Sequence, residues 1–93
     1  MIEQIGKSKD DILEALTNFN FTFDCRHNYT MTERQEYVND FMYIDVEVIV
    51  YLSDDLEDII DKDILDFGVY DYAGDEIDND LTDSEILNAI NIN

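Results

Sequence analysis

Apolar and polar residues alternate most cleanly between Phe41 and Leu52. Met42, Ile44, Val46, Val48, Val50 and Leu52 fall on one side of an extended chain, and Phe41, Tyr43, Asp45, Glu47, Ile49 and Tyr51 on the other. A period of two marks a strand with one face on a core. The same period runs through Phe19, Phe21, Phe23 and Cys25, which interleave with Asn20, Thr22, Asp24 and Arg26 and predict a second strand. Between the two, Tyr29 to Val38 reads either way: Thr32 with Gln35 suits a helix start, whereas Tyr29, Met31, Tyr37 and Val38 suit a strand, which we favour. With turns at His27-Asn28 and Asn39-Asp40, these three runs predict an antiparallel meander.

Elsewhere the period lengthens. Ser8 before Lys9, Asp10 and Asp11 places a capping hydroxyl and two acids ahead of Ile12, Leu13 and Leu16, predicting a helix from Lys9 to Asn18. Ser53 precedes Leu56, Ile59, Ile60 and Ile64 at helical spacing, with Gly68 as a stop, so a second helix is predicted over 54–66. Phe67 to Ala73, closed by Gly74, predicts a fourth strand. Thr82-Asp83-Ser84-Glu85 is a capping box before Ile86, Leu87, Ala89 and Ile90, a third helix followed by an Asn-rich tail expected to fray. The predicted order is α-β-β-β-α-β-α: one α+β domain over residues 1–93, with helices on one face of a small antiparallel sheet of three to four strands.

Charge changes the picture from fold to function. The 93 residues carry 24 Asp and Glu against 5 Lys and Arg, a formal net charge of −19. Residues 1–39 hold seven of the acids and four of the bases; residues 40–93 hold seventeen acids and only Lys62 as a base. A field so lopsided opposes compaction and is either a solvated face or a functional surface, which we favour. Asp outnumbers Glu sixteen to eight although Glu is the better helix former, and the shorter side chain loses less rotamer freedom when held in place.

The usual supports for catalysis are missing. His27 sits in a predicted turn with no nucleophile motif beside it, and glycines at 6, 68 and 74 build no phosphate-binding loop. Asp75-Glu76-Ile77-Asp78-Asn79-Asp80 lacks the central glycine and the bidentate Glu of a calcium loop. Cys25, on the side of three Phe, is expected to be a buried structural thiol. No enzyme activity, metal or cofactor is expected. No secretion signal or membrane span is legible, so the chain is expected in the cytoplasm of the cell that makes it.

On the predicted acidic helix, Asp54, Asp55, Glu57, Asp58, Asp61, Asp63 and Asp66 put seven carboxylates in thirteen residues, or ~20 Å at ~1.5 Å per residue. That is one net charge per ~3.3 Å after Lys62, against one phosphate per ~3.4 Å along a DNA strand. Asp45 and Glu47 of the long strand, and Asp71, Asp75, Glu76, Asp78 and Asp80, extend the array. The small size, acidity and scarcity of Lys make residues 40–93 resemble, by composition, the DNA-mimic inhibitors, often phage-encoded, that include anti-restriction proteins, acidic anti-CRISPR proteins and uracil-DNA glycosylase inhibitors. The resemblance implies a stoichiometric inhibitor whose acidic residues occupy the basic surface of a CRISPR effector, restriction enzyme or nuclease. An immunity or antitoxin protein neutralising a basic nuclease toxin is the alternative. Direct binding of DNA or RNA is not expected, and the sequence leaves a homodimer open.

Overall fold

The computed structural model describes residues 8–23 and 26–93. Its elements run α1 (Lys9–Leu16), β1 (Asn20–Phe21), β2 (Thr30–Val38), β3 (Tyr43–Leu52), β4 (Ile59–Tyr70), α2 (Asp83–Ala89) and β5 (Asn91–Ile92). The class is α+β: β2, β3 and β4 form an antiparallel sheet with β3 at its centre, and β1 pairs with β5 in a separate parallel ribbon.

Alternation in β3 organises the core. Met42, Ile44, Val46, Val48, Val50 and Leu52 are buried on one side of the sheet, where they join Ile12, Ala15 and Leu16 of α1, Phe19, Phe21 and Phe23 around β1, Val69 of β4, and Ile86 and Ile90 at α2. Both helices therefore cover one face. Each begins in a capping box: Ser8 Oγ accepts from the Asp11 amide, and Thr82 Oγ1 accepts from that of Glu85. Lys9 and Glu85 tie the two helix starts together at 2.9 Å.

Two smaller expectations are corrected first. The Phe-rich strand does not join the meander: only Asn20–Phe21 pairs, and its partner is the C-terminal β5. Burial of Phe19, Phe21 and Phe23 with Asn20 and Thr22 exposed follows the alternation all the same. The tail does not fray, because Asn91 and Asn93 donate backbone amides to the carbonyls of Phe19 and Phe21, and the Asn93 side chain reaches Asn20 Oδ1 at 2.7 Å. Cys25, expected to be buried beside the Phe side chains, lies outside the described residues.

The largest correction concerns 54–66, which is not a helix. Residues 53–58 form a turn, and β4 runs unbroken from Ile59 to Tyr70, so Gly68 stops nothing. A helix here would stack like charges at i,i+3 and i,i+4, as in Asp54 with Asp58 and Asp63 with Asp66, and each such pair opposes helix formation. Ile59, Ile60 and Ile64 also prefer extended backbone. As a strand, the segment spreads its acids and satisfies the hydrogen-bonding groups of β3.

Candidate partner-binding face

Among the described residues, no helix covers the second face of the sheet. Strand register sets its composition in cross-strand rows: Thr30–Tyr51–Asp61, Thr32–Ile49–Asp63, Arg34–Glu47–Asp66, Glu36–Asp45–Gly68 and Val38–Tyr43–Tyr70. Six carboxylates, from Glu36, Asp45, Glu47, Asp61, Asp63 and Asp66, thus share this face with one cation, Arg34. Of the residues expected from sequence to bind a partner, Asp45, Glu47, Asp61, Asp63 and Asp66 are brought together here, from two adjacent strands rather than from a strand and a helix.

Arg34 holds the centre. Its guanidinium meets Asp45 on β3, Glu47 at 3.3 Å and Asp66 on β4 at 3.1 Å, joining all three strands. The hydrogen bond to Asp66, opposed by partial desolvation and aided by the charges of Asp45 and Glu47, moves its pKa further above the ordinary arginine value. Only one Asp45 oxygen is used; Oδ1 is buried without a hydrogen-bond partner. Arg34 therefore fixes three carboxylates without consuming all their acceptor capacity.

An aromatic end closes the strip. The Tyr43 and Tyr70 rings lie 6.0 Å apart, and Tyr70 folds back over Gly68, where a Cβ would collide with its hydroxyl and ring. The Tyr43 hydroxyl bonds to Glu36; that bond first, then desolvation and the charges of Glu36 and Asp45, pushes its pKa up to about 12. Tyr51 is exposed at the opposite end of the face, while Phe41 and Tyr72 are exposed in the turns beyond the aromatic end.

The remaining candidates flank the face. Asp54, Asp55, Glu57 and Asp58 occupy the β3–β4 turn, where Ser53 caps a loop rather than a helix: its hydroxyl donates to Asp55 at 2.5 Å and accepts from the Asp58 amide at 3.1 Å. Leu56 takes a φ of 61° to close it. Bonds from Ser53 and from the Glu57 amide hold the Asp55 carboxyl below the usual carboxylate range. Asp71 spends its carboxylate on the amides of Ala73 and Asp75, at 2.9 and 3.0 Å. Asp75, Glu76, Asp78 and Asp80 are exposed along the loop to α2.

Arg34 and Glu36 were not anticipated from the sequence. Their signal was the alternation Thr32, Arg34, Glu36, which identifies a face only once 30–38 is known to be a strand beside β3. Among the described residues no three His, Cys, Asp or Glu side chains converge as a metal site requires, and no helix is long and apolar enough to cross a membrane. Comparison of the chain with protein-family models, curated proteins and solved structures finds no match.

Proposed function

We propose that this chain is a stoichiometric inhibitor that acts as a nucleic-acid mimic, laying its open sheet face into the basic nucleic-acid-binding surface of a defence or DNA-processing enzyme such as a CRISPR effector or restriction enzyme. The observation that carries this reading is the arrangement of acids on the face. From the Asp61 row to the Glu36 row is six residues, ~20 Å at ~3.4 Å each, and three strands span ~10 Å. Six carboxylates less Arg34 leave one net charge per ~4 Å of that strip, close to the ~3.4 Å per phosphate of a single nucleic-acid strand and half the density of a duplex.

The array is also held in place. Arg34 ties Asp45, Glu47 and Asp66 together, so a partner's Lys and Arg side chains meet charges that need little further ordering. Complementary potential gives fast, salt-sensitive association, and buried aromatic anchors give affinity; Tyr43 and Tyr70 supply such anchors at the end of the strip.

The test begins with immobilised chain and host lysate. A protein retained at low salt and released at high salt is purified and mixed with labelled DNA and RNA. Addition of this chain should displace the nucleic acid at one-to-one stoichiometry. A retained protein that binds no nucleic acid, or that holds nucleic acid and this chain together, overturns the reading.

A further inference from the structure

Among the described residues β4 is an edge strand, and its free edge carries an unexpected closure. In a ladder every second amide of an edge strand points away from its neighbour and stands ready to accept another chain. At its C-terminal end β4 is covered, because Ile77 donates its amide to the Val69 carbonyl at 2.7 Å and Glu76 bridges Tyr70. The regular stretch beyond that cover is short. Extra residues at Ile60 and Leu65 shift the register with β3 on either side of it, so Asp61–Ile64 is the regular run between the two shifts.

Within this stretch the amides of Lys62 and Ile64 donate to side chains instead of to a neighbouring strand. Lys62 N–H bonds to Asp61 Oδ1 and Ile64 N–H to Asp63 Oδ1, each at 2.8 Å. The repeat Asp-Lys-Asp-Ile thus makes each Asp the cap of the amide that follows it. The need for such a closure is visible beside it: Ile60 and Leu65 are 67% and 52% exposed, and an edge rich in β-branched residues with free donors is a template for self-pairing.

We propose that Asp61 and Asp63 keep the free edge of β4 closed to strand addition, and that a second copy of this chain pairs along β4 once these two acceptors are removed. Edge closure of this kind is independent of any partner's identity. It also gives the two residues separate roles: their charges belong to the open face, while one oxygen of each guards the edge.

Two double variants separate charge from capping. D61N/D63N removes both charges but keeps a side-chain oxygen to accept from the next amide; D61A/D63A removes the same charges and the acceptors. Sedimentation equilibrium is run on both and on the unaltered chain, at salt high enough to screen repulsion between copies. The Ala variant should form a concentration-dependent dimer while the other two stay monomeric. In dilute Ala variant the Lys62 and Ile64 amides should exchange roughly tenfold faster than in the Asn variant, as for loss of one net hydrogen bond. Adding Lys62→Pro to the Ala background removes an edge donor at a place proline tolerates and should restore the monomer. A monomeric Ala variant, an Asn variant that dimerises as readily, or a dimer that survives the proline overturns the proposal.

Discussion

Replacing Ile60 and Ile64 separately by Ala distinguishes the strand on which the open face depends from the helix that the apolar spacing suggests. The two residues are four apart, so a helix places them on one stripe and loses similar stability from either. In β4 they differ. Ile64 lies opposite the fully buried Val48 and packs against the core, whereas Ile60 is the extra residue of a register shift and is 67% exposed. Ile64→Ala removes three carbons, worth about 2.4 kcal/mol if fully buried at ~0.8 kcal/mol each. Ile64 is only partly buried, which brings the expected loss to about 1.5 kcal/mol, and the compactness of the unfolded chain makes that an upper value. At ~4–8 °C per kcal/mol for a domain of this size, the melting temperature falls by roughly 6–12 °C. Ile60→Ala should stay within about 0.5 kcal/mol, as exposed substitutions do. Both changes give up the same β-branched side chain, so intrinsic propensity cancels in the difference. Urea unfolding read as midpoint and slope measures both variants. Equal losses would put Ile60 and Ile64 on one buried stripe and refute the strand.

Further outcomes follow from the face. Tyr43 bonded to Glu36 has its folded pKa raised to about 12, so its contribution is complete below the ordinary tyrosine value of ~10 and is lost as pH rises from there toward 12. A late phenolate step near pH 12 should therefore appear in the absorbance titration, and Glu36→Gln should bring it down; a titration without that late step would contradict the bond. Gly68→Ala pushes the Tyr70 ring from its place and should change the near-ultraviolet dichroism while the fold survives; an unchanged signal would mean the ring does not lie over Gly68. With a net charge of −19, the chain should give no gel shift with DNA or RNA at low salt; a tight complex with either would sink the mimic reading.

The fold was legible where one periodicity acted alone. β3 alternates without interruption, both helix starts carry capping boxes, and the core residues of β3 follow directly from the pattern. Between 54 and 70 two periodicities overlapped. Leu56, Ile59, Ile60 and Ile64 fit a helical stripe only because the register shifts at Ile60 and Leu65 insert extra residues into a strand and disturb its period of two. Ser53 misled for a related reason, since a hydroxyl followed by acids caps a tight turn as readily as a helix. Five of the acids named from the sequence share the open face, but its other charged members, Arg34 and Glu36, lie 27 and 25 residues before Asp61 in the chain, and only cross-strand register brings them onto one face. The parallel pairing of β1 with β5 joins Asn20 to Asn91 and Phe21 to Ile92, far apart in the chain, and no local signal announces it.

The most direct test of the open face compares two triple variants for association with the partner released from the low-salt capture. Glu36→Gln, Asp61→Asn and Asp63→Asn remove three charges from the face yet keep hydrogen-bonding shape and leave the Arg34 cluster intact. Asp10→Asn, Glu14→Gln and Asp83→Asn remove three from the helices on the other side. Steering by complementary charge commonly changes association rates by ten- to a thousandfold. At low salt the face variant should associate at least about tenfold more slowly with a shallower salt dependence, and the helix variant within about twofold of the unaltered chain. Equal slowing of the two would make net charge, not a located face, the source of binding, and unchanged association of the face variant would contradict the account.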